Sequence, residues 1–217
     1  MRIYLRYNRS MYYALYAVVA LIGVWIVGSY VVIRNIEEPS YTVLEKRNGY
    51  EVREYNAYIV AQTNVSGEYS QALGEGFRII ADYIFGNNTT KTSIAMTAPV
   101  LESSSQLIAM TVPVISQPAS EKNSVISFVL PSKYTLETLP KPNNAAVELR
   151  EVPARKVAVR RFTWYATEAR VEKQKAALVE RLSADGMRMT DLPQVAQYNP
   201  PLSFPLTRRN EILITIE

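Results

Sequence analysis

The sequence of 217 residues contains no cysteine and no histidine. Without cysteine the chain can form neither a disulfide nor a thiol nucleophile, and cysteine-ligated metal sites are excluded. Without histidine it lacks the commonest general base and the commonest side-chain ligand of metals and haem iron. A Ser-His or Cys-His catalytic pair is therefore impossible, and nothing in the sequence predicts an enzyme or a metal site.

Acidic residues are absent from the first 34 positions, which hold Arg2, Arg6, Arg9 and Arg34. These four arginines account for the net charge of +4, and the remainder of the chain is neutral overall. A neutral remainder offers no basic face of the kind that nucleic-acid-binding domains carry. The charge distribution therefore predicts no nucleic-acid partner.

Between these arginines, Met11–Ile33 contains no charged residue. A helix of this length spans roughly 34 Å at ~1.5 Å per residue, which is enough to cross the hydrocarbon core of a bilayer. We predict a tail over 1–10, a transmembrane anchor over 11–33 and a linker over 34–40. Three arginines precede the helix and one closely follows it, so we expect the amino end in the cytoplasm and the domain in the periplasm or outside the cell.

The remaining residues, 41–217, alternate strand and helix patterns. Apolar residues at three- and four-residue steps mark one face of a first helix from Ser66 to Phe85, which Gly86 ends; they are Tyr69, Leu73, Phe77, Ile80 and Ile84. Short apolar runs bounded by turn residues predict strands at Tyr41–Glu45, Tyr50–Asn64, Val125–Leu130 and Glu211–Ile216.

One heptapeptide occurs twice. Ile94–Val100 recurs at Ile108–Val114 with a single difference, and a polar run separates the two copies. Two apolar segments around such a run predict a β-hairpin. The alternation of side chains along a strand then places Met96 and Met110 on one face. Because methionine is an adaptable core filler, we interpret this face first as a structural wall.

A longer repeat relates the two halves of the domain. Glu51–Ala57 aligns with Glu148–Ala154, and the same offset brings the first helix onto 166–181, where Thr167 is the predicted N-cap. A duplication of this kind predicts an α+β fold: a distorted antiparallel β-barrel or sandwich with two flanking helices. It consists of two tandem β-β-α-β-type repeats, at about 41–130 and 145–217, preceded by one transmembrane helix.

Several motifs occur in a fixed order from about Glu38 to the carboxyl end. They are Tyr50-Glu-Val-Arg-Glu-Tyr55, Gly76-Phe77, Tyr83-Ile-Phe-Gly86, Ile94-Ala-Met-Thr-Ala-Pro-Val100, Met110-Thr-Val-Pro113, Phe128-Val-Leu-Pro131 and Tyr198-Asn-Pro-Pro201 with Arg208-Arg-Asn-Glu211. Together they resemble the SOUL haem-binding protein family. The resemblance implies a barrel of two repeats that binds haem or another tetrapyrrole in an apolar pocket beside the first helix.

This resemblance also implies a binding cleft between the first helix and the sheet. Its expected cofactor-binding residues are Phe77, Arg78, Ile80, Ile84, Met96 and Met110, with Arg78 as partner of a propionate. The chain departs from the family at Glu54, where some animal members carry a histidine, at Gly74 and Asp82, where others carry basic residues, and at Leu202, where tryptophan is frequent. Haem b or another tetrapyrrole would therefore be held mainly by hydrophobic packing.

The predicted function is a membrane-anchored, non-enzymatic haem- or tetrapyrrole-binding protein that uses neither histidine nor cysteine as a ligand. Two alternatives stay open at this point. Related repeats serve as effector-binding domains in bacterial regulators, so the same cleft would hold another apolar small molecule. In the second alternative the domain is an interaction module without a small ligand, and the face of the first helix is wholly core.

Overall fold

The computed structural model describes residues 2–34, 36–104 and 123–217. The helices in these ranges are α1 (Arg2–Ile33), α2 (Tyr69–Ile84) and α3 (Glu168–Ala184), with a 3-10 turn at Pro205–Thr207. The strands are β1 (Tyr41–Arg47), β2 (Tyr50–Tyr55), β3 (Tyr58–Ser66), β4 (Val100–Ser104), β5 (Asn123–Val129), β6 (Glu148–Val152), β7 (Arg155–Phe162), β8 (Gln194–Gln197) and β9 (Asn210–Thr215).

The apolar run near the amino end forms the carboxyl-terminal part of α1. Met11–Ile33 is long and apolar enough to cross a membrane, with a mean hydropathy of 2.3. Its bounds are those predicted from the sequence. Most of its side chains are exposed, and its contacts with the other described residues are made by its last turns.

The described strands form one antiparallel sheet in the order β1-β2-β7-β9-β8-β4-β5-β3-β6. The sequence repeat equates β2, β3, β4 and β5 with β6, β7, β8 and β9. If each strand from β2 to β6 in the sheet order is replaced by its equivalent, the result is the same order in reverse. The sheet therefore has an approximate twofold symmetry. The two halves meet where β4 pairs with β8, with Val100 opposite Gln197. The predicted α+β class, an antiparallel sheet of two repeats with flanking helices, is confirmed.

The sheet curls into a half-barrel. Strands β2 and β3 are second and eighth in the sheet order, yet only Asn56 and Ala57 separate them along the chain. The two ends of the sheet must therefore approach each other. The sequence analysis predicted a single strand over Tyr50–Asn64, but the structure divides it into β2 and β3. The division is required because β2 pairs with β1 and β7, whereas β3 pairs with β5 and β6.

Helices α2 and α3 each cover one half of the sheet. Helix α2 packs on β3 and β5, and α3 contacts β7 and β9. Gly76 lets α2 approach the sheet closely, because a Cβ atom at this position would lie 2.5 Å from Cγ1 of Ile126. Thr167 precedes α3 in extended backbone, as predicted, but its side chain makes no capping hydrogen bond.

The first half of the predicted twin-motif hairpin is not a strand. Ile94–Pro99 follow irregular backbone with a cis Ala98–Pro99 peptide bond, and β4 begins only at Val100. Pro99 has no N–H for a strand ladder. From Val100 to Glu102 the two edges of β4 pair with β5 and β8, which leaves no edge there for a hairpin partner. The second half of the hairpin, 108–114, lies outside the described residues.

Candidate functional site

A groove of about 340 Å³ lies between α2 and the place where the two halves of the sheet meet. Leu73 and Phe77 line it on the helix side, and Val100 and Pro201 line it on the sheet side. Gly74 also borders the groove, and a Cβ atom built on it would meet nothing within 4 Å. The groove is therefore an apolar cleft in which a ligand can approach the helix backbone closely. Its volume lies at the lower end of the ~300–1,000 Å³ range of ligand pockets.

The apolar stripe of α2 divides between the groove and the core. Phe77 is 38% exposed, and its ring centroid lies 5.2 Å from that of the fully buried Phe128. Ile80 and Ile84 are fully buried in the cluster beneath it, so a ligand in the groove does not reach them in this structure. Arg78 is exposed at the position next to Phe77. The binding roles predicted for these four α2 residues stay predictions.

The polar rim of the groove contains a buried donor without a partner. Asn199 Oδ1 accepts a hydrogen bond of 2.6 Å from the backbone N–H of Arg209. Its Nδ2 group is buried and has no hydrogen-bond partner among the described residues. An unsatisfied buried donor costs about 1–3 kcal/mol.

A buried charged network fixes the chain segment that carries Asn199. Glu211 is fully buried and accepts hydrogen bonds from the Tyr198 hydroxyl at 2.8 Å, from Arg53 Nη1 at 3.0 Å and from Arg209 Nε at 2.9 Å. Burial raises the pKa of Glu211, but the two arginines more than offset it and hold the pKa below its usual range. Burial raises the pKa of Tyr198 well above its ordinary value, so its hydroxyl remains a donor.

Of the two methionines predicted from the motif, only Met96 lies within the described residues. Met96 is 40% exposed in the irregular segment before β4 and does not line the groove, and Met110 lies outside the described residues. The sequence missed Gln197, Asn199 and Pro201 as lining residues. The signal for two of them was the Tyr-Asn-Pro-Pro motif, which was interpreted only as a loop and a family marker.

Two further cavities in the described ranges are more polar. One, of about 320 Å³, lies on the inside of the half-barrel and includes Arg150 and Arg155. The other, of about 430 Å³, lies between the linker and β3 and is rimmed by the carboxylates of Glu37, Glu38, Glu137 and Glu151. The acidic rim disfavours an anionic ligand. The α2 groove is the most apolar of these three.

A concave, largely apolar groove beside a packed helix is the kind of site at which proteins bind small molecules. Residues 36–215 match the SOUL heme-binding protein family, and the chain belongs to this family. The family predicted from the ordered motifs is thereby confirmed.

Two named relatives cover most of the chain. Heme-binding protein 2 of Homo sapiens is 28% identical over 183 residues, which are 82% of this chain and 84% of that protein. Heme-binding protein 1 of Xenopus laevis is 28% identical over 164 residues, which are 75% and 81% of the two chains.

Two solved structures show the same fold. The C-terminal domain of EcmrR has a TM-score of 0.56 at 12% sequence identity and covers 82% of this chain and 98% of its own. A hydrolase from Listeria innocua has a TM-score of 0.50 at 10% identity and covers 80% and 94% of the two chains. At such identities the likeness concerns the fold alone.

Proposed function

We propose that this chain is a membrane-anchored, non-enzymatic protein that binds haem or another tetrapyrrole in the α2 groove. The observation that carries the proposal is the apolar groove at Leu73, Gly74 and Phe77, in a chain of the SOUL heme-binding protein family. The two relatives named as heme-binding proteins support the same ligand class.

The residues of the groove fit a flat apolar macrocycle. The partly exposed Phe77 ring offers a stacking surface. Gly74 has no side chain in the way, so the edge of the macrocycle can lie against the helix. A bound haem would supply iron redox chemistry and light absorption, while the protein would supply binding and orientation. Because the chain contains no histidine or cysteine, packing holds the ligand with little help from ligation.

In this proposal two polar groups near the groove contact the propionates of such a ligand, and the Asn199 side chain turns toward the groove to do so. Asn199 Nδ2 is the buried, unpartnered donor at the rim. Arg78 follows Gly74 by four residues, one helical turn away, and its guanidinium is exposed. A propionate that accepts from Arg78 would form a charge-assisted hydrogen bond, and one that accepts from Asn199 would pair a donor that is otherwise unsatisfied.

The binding test uses the full chain in lipid nanodiscs, with empty nanodiscs as the blank. Hemin and protoporphyrin IX are titrated separately, and the Soret band and tryptophan fluorescence are recorded. We expect both porphyrins to bind with similar affinity, because packing rather than iron ligation dominates. The proposal fails if neither porphyrin changes either signal beyond the blank.

Matched variants on α2 locate the site. Gly74→Leu adds a side chain at the border of the groove, where its Cβ atom meets nothing within 4 Å, and should weaken binding at least about tenfold, which corresponds to ~1.4 kcal/mol. Gln71→Leu adds the same side chain at an exposed position outside the groove and should leave the affinity unchanged. Undiminished binding by Gly74→Leu would exclude this groove. Weak porphyrin binding with tighter, Gly74-dependent binding of another apolar molecule would favour a different ligand.

The anchor and its orientation form the second part of the proposal. The charge-free run of α1 supports insertion, and the arginines before it support a cytoplasmic amino end. Because the chain has no cysteine, single-cysteine variants report each side cleanly. In intact cells, a membrane-impermeant thiol reagent should label Lys133→Cys and spare Ser10→Cys. The opposite labelling pattern would reverse the orientation, and extraction of the protein by alkaline carbonate would refute insertion.

A further inference from the structure

The end of α1 is joined to a loop of the domain that is far away in sequence. The Trp25 indole N–H donates to the Leu202 carbonyl at 2.8 Å, and the backbone N–H of Phe204 donates to the Ser29 hydroxyl at 2.8 Å. The rings of Trp25 and Phe204 meet edge to face with centroids 5.1 Å apart. The segment from Pro200 to Leu206, hereafter the docking loop, therefore lies beside the last three turns of α1.

The position of these contacts along α1 fixes the depth of the docking loop. A helix needs about 20 residues to cross the hydrocarbon core. Every stretch of that length within Met11–Ile33 contains both Trp25 and Ser29. If α1 crosses the bilayer, the loop bound to these two residues must reach the bilayer as well.

The backbone carbonyls from Pro200 to Pro205 are all hydrogen-bonded, although the docking loop is exposed. Three of its residues are prolines and have no N–H to satisfy. The Arg208 guanidinium donates to three of the carbonyls, those of Pro200, Pro201 and Ser203. Satisfied backbone groups are what a lipid environment requires, because no water is available there.

The side chains of the same region are apolar and exposed. Leu202 is 86% exposed, the highest value among the large apolar side chains described, and Leu206 is 59% exposed. Trp164 and Tyr165 are also exposed, and the backbone N–H of Trp164 donates to the Pro205 carbonyl at 3.0 Å. Tryptophan and tyrosine are enriched at membrane–water interfaces. An apolar cavity of about 190 Å³ separates α1 from the loop and is wide enough for part of an acyl chain.

The linker after α1 does not leave the domain free to rotate away. Arg209 forms an ion pair with Glu38, with Nη1 2.8 Å from Oε2. The backbone N–H of Asn56 donates to the Ser40 carbonyl at 3.1 Å. The contacts of the docking loop and of the linker together hold the domain in one orientation to the helix axis.

We propose that the docking loop and the Trp164–Tyr165 turn lie in the outer boundary of the lipid bilayer and form a second membrane contact of this protein. This contact rests on the proposed insertion of α1. Its partner is the phospholipid surface itself, with Leu202 and Leu206 in the acyl region and the two aromatic side chains at the level of the headgroups.

Spin-label depth measurements on the full chain in liposomes test this contact. Single cysteines replace Leu202 or Leu206 at the loop, Val19 on the exposed surface of α1, and Phe85, which is 66% exposed at the end of α2, as the solvent reference. Power saturation compares the accessibility of each nitroxide to oxygen, which concentrates in lipid, with its accessibility to a water-soluble nickel chelate. We expect a severalfold higher oxygen-to-nickel ratio at Leu202, Leu206 and Val19 than at Phe85.

Each other outcome overturns the inference in a recognisable way. A lipid-like label at Val19 with water-exposed labels at Leu202 and Leu206 would refute the loop contact and leave the anchor standing. A water-exposed label at Val19 would refute the anchor and the loop contact together. Labels at Leu202 and Leu206 shielded from both reagents would show that a protein, rather than lipid, covers the loop.

Discussion

Two glycines on α2, Gly74 and Gly76, should respond to alanine in opposite directions. A Cβ atom at Gly76 would lie 2.5 Å from Cγ1 and 2.6 Å from Cβ of Ile126, a fully buried residue of β5. The Cβ atom of Ile126 keeps its place in every rotamer, so the helix itself must shift. A Cβ atom at Gly74 would meet nothing within 4 Å.

The magnitudes follow from overpacking and helix propensity. Overpacking of a core costs about 1–3 kcal/mol, and we expect the upper end at Gly76 because the clash involves branched, buried atoms. Replacing glycine by alanine inside a helix recovers about 1 kcal/mol. Gly76→Ala should therefore lose about 2 kcal/mol of unfolding free energy, whereas Gly74→Ala should gain up to about 1 kcal/mol.

Chemical denaturation of the full chain in detergent, followed by the circular dichroism of the sheet, measures both changes. Each alanine variant serves as the control for the other, since both make the same chemical change on one helix. Equal shifts of the two midpoints in one direction would refute the close approach of α2 to β5. A stabilising Gly76→Ala would have the same consequence.

Three further substitutions probe the charged and thioether groups. Glu211→Gln leaves the buried charges of Arg53 and Arg209 without a carboxylate and should cost about 3–5 kcal/mol. Burial raises the pKa of Glu211, but the two arginines lower it by more, so the net pKa is below its usual range. The loss of unfolding free energy in Glu211→Gln is therefore full above a pH of about 4.3 and shrinks as the pH falls through the lowered pKa. Burial raises the pKa of Glu102, whose Oε2 has no partner among the described residues, so Glu102→Gln should stabilise increasingly as the pH rises through that raised pKa. Met96→Ala should leave the spectrum of bound hemin unchanged, because Met96 does not line the groove.

Unfolding midpoints between pH 3 and pH 8 check the two carboxylates, and a hemin spectrum checks the methionine. A pH-independent effect of Glu211→Gln would contradict the ionised network. Loss of stability in Glu102→Gln at high pH would contradict a net cost of burying the Glu102 charge, which Lys175 and Ser124 offset only in part. A shifted Soret band in Met96→Ala would instead indicate that the Met96 thioether ligates the haem iron.

Local periodicity predicted α2 well but not the environment of each residue on its stripe. The three- and four-residue spacing identified the face that contains Phe77, Ile80 and Ile84, and all of them lie on α2. The sheet covers Ile80 and Ile84 and leaves part of Phe77 open. Which α2 side chains the sheet buries depends on the positions of β4 and β8. The spacing of apolar residues along the helix carries no information about these positions.

Strand pairing shows the same division between local and distant information. The twin heptapeptides predicted pairing between neighbours, whereas β4 pairs instead with β5 and with β8 from the second repeat. The long-range repeat, Glu51–Ala57 against Glu148–Ala154, gave the better guide to the fold class, because the sheet consists of two equivalent halves that meet where β4 pairs with β8. The hydrogen bond from Trp25 to Leu202 joins residues 177 positions apart. No pattern within either segment indicates such a contact.

Asn199 at the rim of the groove and Leu202 in the docking loop are three residues apart, at most about 10 Å of extended chain. With the docking loop in the bilayer, the mouth of the groove opens at the edge of the lipid phase. A sparingly soluble pigment dissolved in that phase then reaches the groove by diffusion within the plane of the membrane. Occupancy of the groove follows the concentration of the pigment in the lipid, and its concentration in the surrounding water matters only through partitioning.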